Sequence, residues 1–312
     1  MPELPEVEHL RRSIDPVIVG ARLTNAIVQR RGVITLASGT PRTDAGYAMA
    51  LLVGARVTAT HRRGKQMAIE AHDGRVLVVQ LGMTGSLTVE RDQPPVGMDA
   101  KHRHVIWEMH PSGTSPATRW RFAFRDPRRF GGLTAYPSMT ALRTAWSELG
   151  PDALDIAATA LAAKLARTSR PIKAALLDQA VIAGVGNIYA DESLFATGIH
   201  PLTPANRLAP DRLDPLAAAI RRILGAAVVA GGSTLRDYRD AFGQAGSATQ
   251  IHQVYGRAGE PCNVCGVKLE GIRLQARATV FCPHCQHLST SETRSTRARR
   301  TKGKSSSRSA RK

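Results

Sequence analysis

No run of about 18 consecutive apolar residues occurs in the 312-residue chain, so no segment is expected to cross a bilayer as a helix. The N-terminus lacks the charged-then-apolar pattern of a secretory signal, and a cytoplasmic protein is expected. Cysteine is absent outside residues 262–285, and the expected compartment argues against structural disulfides. Acidic residues are few: 25 Asp and Glu face 43 Lys and Arg, a formal net charge of +18. That excess suits a polyanionic partner, nucleic acid first of all. Part of it is local, because residues 291–312 hold nine Arg or Lys against Glu292 alone, which places +8 there and +10 on the rest. This tail has almost nothing apolar to bury, so it is expected to be disordered and to attract DNA without regard to sequence.

What is present begins at the first residues, Met1-Pro2-Glu3-Leu4-Pro5-Glu6. Removal of Met1 would expose a proline secondary amine. An α-amino group titrates at about 8, against about 10.4 for a lysine, so part of it is unprotonated and nucleophilic at neutral pH. Leu4, Val7, Leu10 and Ile14 recur at helical spacing, with Glu6, Glu8, Arg11 and Arg12 placed elsewhere. The positive pole of such a helix would lower the pKa of a nearby amine further. Glu3 is the neighbouring candidate for proton transfer, and Glu6 lies one turn on. Prolines and glutamates also favour helix starts for purely structural reasons, and these residues alone leave both readings open.

The four cysteines form two C-x2-C pairs, Cys262/Cys265 and Cys282/Cys285, separated by sixteen residues. This spacing predicts one tetrahedral zinc with no open position, a structural site. His284 is expected to be exposed rather than a ligand. Between the pairs, Leu269 to Val280 reads as two strands around a basic turn, able to reach phosphates or simply solvated. Upstream, Gly184 and Gly186 form a turn after an apolar helical stretch from Ile172 to Ile182. Asn187 is expected to cap the next helix, and Lys173 to add charge for a phosphate. No strand precedes these glycines, which counts against a dinucleotide fold.

The chain resembles the formamidopyrimidine-DNA glycosylase family, bacterial base-excision repair enzymes for oxidised purines, over nearly its whole length to Gln286. The resemblance rests on Pro2–Glu8, Arg62-Arg63-Gly64-Lys65, Leu81–Gly85, Asp126–Gly131, Gly184–Phe195, and Val254–Arg257 leading into the cysteines. It implies an α+β protein. Residues 1–148 would form a β-sandwich carrying the first helix, 149–250 a helix-two-turn-helix domain entered through a linker at Leu149–Asp152, 251–286 a four-cysteine zinc-finger hairpin, and 287–312 the basic tail. Short β-like runs such as Val76–Val79 and Leu87–Val89, then alanine- and leucine-rich stretches over 152–230, agree with that order.

The resemblance also implies residue roles. Pro2 would attack C1′ of a flipped nucleotide, Glu3 would protonate the sugar ring oxygen, Glu6 would support the site, and Lys65 would contact a phosphate beside the lesion. Met83, Arg128 and Phe130 would fill the hole left in the duplex, with Arg128 reading the estranged cytosine. His102, Lys173, Asn187 and Arg277 would grip DNA. The implied partner is double-stranded DNA with a damaged base, bound by a monomer at the nucleoid. An endonuclease-VIII-like enzyme for oxidised pyrimidines and a noncatalytic zinc-containing nucleic-acid-binding protein remain alternatives. Departures from the family pattern are Gln80 in place of a common histidine, a longer loop from His110 to Arg119, and a small, polar Gly243–Gln250 where aromatics are usual. A flipped base would be held more loosely there.

Overall fold

A computed structural model describes residues 2–91, 101–113, 120–233 and 239–288. The tail from residue 289, the middle of the loop after His110 and residues 234–238 of the divergent segment lie outside the described residues. The chain divides into two compact units. One combines Met1–Leu154, Ile182–Val185 and Leu224–Ile251, and the other Asp155–Val181, Gly186–Ile223 and His252–Lys312. The first unit therefore includes two stretches from beyond residue 148, and the second holds the cysteine segment together with helices.

The first unit runs α1 (Leu4–Ile18), β1 (Arg22–Val28), β2 (Ile34–Leu36), α2 (Asp44–Ala50), β3 (Val57–Arg63), β4 (Gln66–Ala71), β5 (Val76–Gln80), β6 (Ser86–Arg91), β7 (Arg103–His110), β8 (Trp120–Arg125), β9 (Gly132–Tyr136) and α3 (Met139–Trp146). One sheet is antiparallel in the order β1-β7-β8-β6; the other has the order β2-β9-β5-β4-β3, with only β2 and β9 parallel. Val105, Trp107, Phe122 and Phe124 of the first sheet share a core with Met67, Ile69, Leu77 and Val79 of the second and with Val7, Leu10 and Ile14 of α1. Members of the shared core recur at every second position, as Val105 and Trp107, Phe122 and Phe124, Met67 and Ile69, and Leu77 and Val79, the arrangement of two packed sheets. Strand β5 is apolar without alternation because Val76 and Val78 face the other way, onto Leu142 of α3.

Helix α1 packs against β3 and β4 through Leu4, Val7, Leu10, Ile14 and Ile18. Glu6 and Glu8, assigned by spacing to the outer face, are instead buried. Glu8 tolerates this because Arg11, Arg12 and Arg62 reach it at 2.9, 2.7 and 3.0 Å. Burial alone would raise its pKa, but the hydrogen bonds from Arg11 and Arg12 outweigh that, and the carboxyl is lowered from 4.5 to about 2. A depressed carboxyl stabilises the fold above its unfolded pKa and loses that contribution as pH falls through the folded one. Glu8→Gln should therefore cost on the order of 2 kcal/mol at pH 7 after allowance for screening, with the gap to the parent closing between pH 4.5 and about 2 in urea melts.

The second unit contains α4 (Ala158–Leu165), α5 (Ile172–Leu176), α6 (Asn187–Ala196), β10 (Glu270–Leu274) and β11 (Arg277–Phe281); α7 (Leu213–Val229) is shared between the units at Ile223/Leu224. The apolar stretch expected to be helical to Ile182 ends at Leu176. There Asp178 turns its carboxylate to the N–H of Ala180 at 3.0 Å, an alternative to the helical ladder. Phe195, Val254, Leu269 and Val280 pack with Cys262 and Cys282 into a small separate core.

Candidate active site

Four segments of the first unit meet at the start of α1. Glu3 is the N-cap, in extended backbone, so Pro2 precedes the helix rather than opening it. The Glu3 N–H donates to Glu6 Oε2 at 2.7 Å, and the Ser233 N–H donates to Glu6 Oε1 at 2.7 Å. Both carboxyls are 1% exposed and lie at the helix end whose dipole favours negative charge. Glu6 thus ties the helix start to Ser233, more than two hundred residues away. Gly184 supplies the next link: its carbonyl accepts the Leu4 N–H at 3.3 Å, and a Cβ on it would lie 2.3 Å from Leu4 Cδ1. Gly64, in the β3–β4 turn, approaches so closely that its own Cβ would lie 2.9 Å from that of Ala183. Leu4, which follows Pro2 and Glu3, and Gly64, which precedes half-buried Lys65, thus both pack against residues 183–184.

The turn is held from behind. Arg62 forms a two-pronged pair with Asp152 at 2.7 and 3.0 Å while its Nε donates to Glu8, and Asp152 also accepts the Gly64 N–H at 2.8 Å. Asp152, read from sequence as part of a linker, is a fixed anchor. Gly184→Ala should shift α1 and cost about 1–3 kcal/mol, the penalty of overpacking, with a matching loss of activity. Gly225→Ala, in α7 with open space around it, should gain about 0.5–1 kcal/mol. Thermal melts of the two variants check the contrast.

A second cluster lies on the loops Leu81–Gly85 and Asp126–Gly131. Asp126 is fully buried; it accepts from Thr84 Oγ1 at 2.5 Å and from the Gly131 N–H at 2.7 Å, and its own N–H donates to the His102 carbonyl at 3.1 Å. Gly82, at φ +61°, leaves room for the second loop: a Cβ there would lie 2.5 Å from Gly131 N. This frame raises Met83 and Phe130 to 38% and 61% exposure, with the Arg128 guanidinium 5.1 Å over the Phe130 ring. His102 is exposed beside them at φ +63°. Large apolar side chains held out on a rigid frame are suited to enter a base stack. Asp126 as the organiser is not evident in the sequence, where the D-P-R-R-F-G run carries the family resemblance but does not reveal its partners.

In the second unit the Lys173 expectation is corrected. Its ammonium is fully buried, 2.7 Å from Asp191, and donates to Ala278 O at 2.9 Å and Thr279 Oγ1 at 2.8 Å, so it braces the hairpin rather than meeting a phosphate. For Asn187 the capping expectation alone is corrected: Gly186 is the N-cap, and Asn187 in the first turn of α6 donates from Nδ2 to Ala278 O at 3.0 Å. Asp191 accepts the Val280 N–H at 3.1 Å, and Glu192 accepts the N–H groups of Gln253, Val254 and Tyr255 at 2.8, 3.0 and 2.8 Å. Arg277 is exposed next to the hairpin tip, where Gln275 and Ala276 take the left-handed backbone of a two-residue turn.

The four cysteine sulfurs lie within 4.8 Å of one another. Cys262 and Cys285 are 4.0 Å apart and Cys265 and Cys282 3.5 Å, close to the spacing of about 3.8 Å for thiolates around one zinc. The N–H groups of Val264 and Cys285 point at Cys262 Sγ and Cys282 Sγ, both at 3.4 Å, which favours thiolates. The donor set fits one structural zinc. His284 is exposed, as expected.

Family models match three successive stretches: the formamidopyrimidine-DNA glycosylase N-terminal domain over residues 1–133, its H2TH domain over 149–239, and the zinc finger found in FPG and IleRS over 259–288. The chain is 40% identical to a formamidopyrimidine-DNA glycosylase of Thermomicrobium roseum and 41% identical to one of Paraburkholderia phymatum, in each case over 92% of this chain and all of the relative. Among solved structures it is similar to Lactococcus lactis Fpg in complex with abasic-site DNA, at TM-score 0.79 and 29% identity over 92% of this chain and all of that one. With its sandwich, its helices and its four-cysteine finger matched in order, the chain belongs to the formamidopyrimidine-DNA glycosylase family of base-excision repair enzymes, which join base removal to abasic-site lyase chemistry.

Proposed function

We propose that this chain excises oxidised purines from double-stranded DNA, with Pro2 as nucleophile, and acts as a monomer on chromosomal DNA at the nucleoid. The observation that supports the reading is the close packing of Leu4 and Gly64, the chain neighbours of Glu3 and Lys65, against residues 183–184, with Glu6 fixing the helix start. Once Met1 is removed, the Pro2 nitrogen donates its lone pair to C1′ of a flipped nucleotide, the base leaves with the glycosidic electron pair, and the proton lost from the Pro2 nitrogen neutralises the departing base. Glu3 gives a proton to the ring oxygen, opening the sugar and leaving a cationic iminium between Pro2 and C1′. The iminium acidifies C2′. Loss of that proton sends its electrons toward the iminium and expels the 3′ phosphate, and a second elimination expels the 5′ phosphate.

Lys65 would hold the phosphate beside the lesion, Met83, Arg128 and Phe130 would occupy the emptied stack, and His102 and Arg277 would bind the backbone. Lys173 contributes by fixing the hairpin that carries Arg277, and Asn187, bonded to the same hairpin, would join in binding the backbone. No helix among the described residues is long and apolar enough to cross a membrane. The test is single-turnover reaction with duplexes holding 8-oxoguanine opposite cytosine or thymine glycol opposite adenine. Faster release of the purine, with phosphate on both ends of the gap, is expected. Preference for thymine glycol would instead establish the pyrimidine-directed reading.

A further inference from the structure

A cleft of about 540 Å3 opens on the first unit between α1, β3 and α3, and none of Pro2, Glu3, Glu6 or Lys65 lines it. Its walls include Glu8, Arg62, Arg63, Met139, Arg143 and Trp146. Most of the charge here is already matched. Glu8 is shared by three arginines, Arg62 is completed by Asp152, and His61 pairs with Glu70 at 2.7 Å. Two guanidinium groups are left over: among the described residues neither Arg63 nor Arg143 pairs with a carboxylate.

Arg63 donates from Nη2 to the Gly150 carbonyl at 2.9 Å, but its Nε is buried with no hydrogen-bond partner. A buried donor without an acceptor is costly, and a guanidinium presents its donors in a fork that suits tetrahedral oxyanions. Arg143 is exposed on α3, with Met139 and Trp146 one turn away on either side and on the same helix face. The Trp146 indole N–H donates to Gln66 Oε1 at 2.7 Å, which fixes the ring as a flat wall.

We propose that this cleft binds a phosphate-class anion between Arg63 and Arg143. The group is either a phosphodiester of a nucleic-acid strand or a free phosphate ester. Arg62 is the neighbour of Arg63 and the brace of the Gly64–Lys65 turn, so an anion bound here adjoins the support of the active site without entering it.

The test titrates inorganic phosphate into the full chain and follows the Trp146 indole N–H resonance, assigned with Trp146→Phe. A saturable shift is expected, at least about fivefold weaker in Arg143→Gln, whose exposed position leaves folding intact, and weaker also in Arg63→Gln. No saturable shift, or one that Arg143→Gln leaves unchanged, overturns the proposal. A second arm measures binding of undamaged duplex against salt. A loss of affinity in Arg143→Gln with a salt slope smaller by about one identifies strand phosphate as the occupant. Unchanged DNA binding beside weakened phosphate binding identifies a free phosphate ester.

Discussion

Protein that retains Met1 forms no borohydride-stable adduct with an abasic-site duplex, whereas the chain beginning at Pro2 is trapped under the same conditions. Retention converts the proline nitrogen into an amide, whose lone pair is delocalised into the carbonyl, and the expected loss is at least about 10^4-fold, the scale on which removal of a covalent nucleophile is felt. Glu3→Gln separates the two stages. An abasic sugar already opens to an aldehyde, so trapping there should persist, while release of an intact damaged base falls by about 10^2–10^4-fold for want of the acid. Trapping with Met1 in place would move the nucleophile elsewhere, and Lys65, which follows Gly64 in the chain, would be the first to substitute.

Removal of zinc should abolish DNA binding while leaving the β-sandwich folded. Cys282→Ser or chelation would take metal content from one per chain to none by atomic emission and weaken duplex affinity by at least about 10^2-fold. The hairpin has little else to hold it: its local core is Phe195, Val254, Leu269 and Val280 around the cysteines, and structural zinc in such small elements is worth about 10–16 kcal/mol of apparent binding energy. Lys173, Asn187 and Asp191 grip only residues 278–280, at the base of β11. Limited proteolysis should then cut within 270–281 first. Unchanged DNA binding in the metal-free protein would assign recognition wholly to the rest of the molecule.

The elements readable from sequence were those whose signal is local. The apolar stripe of α1, the apolar run of β5 and the cysteine spacing each carry their meaning within a few residues, and each is found in place. Lys173 was misread because a lysine near a glycine turn looks the same whether it faces solvent or, as here, an aspartate on the next helix and a carbonyl more than a hundred residues away. Burial of Glu6 and Glu8 was likewise invisible, since their partners Ser233 and Arg62 are distant in the chain. Asp126 opens a motif and Asp152 ends the expected linker, but their roles are defined by backbone N–H groups that only the folded chain brings to them. Pro2, Glu3 and Lys65 are singled out through the resemblance to a family, and the fold adds that their neighbours Leu4 and Gly64 pack against residues 183–184.

The first unit draws on residues 182–185 and 224–251 as well as on the N-terminal half. During synthesis the helix that begins at Leu4 therefore leaves the ribosome long before Gly184 can receive the Leu4 N–H or Ser233 can reach Glu6. Contacts of such separation form late, after the local strands have paired. A nascent chain or a fragment ending near residue 154 thus carries its reactive amine without the setting that aims it, and the capacity to cut DNA arrives only when most of the polypeptide has been made.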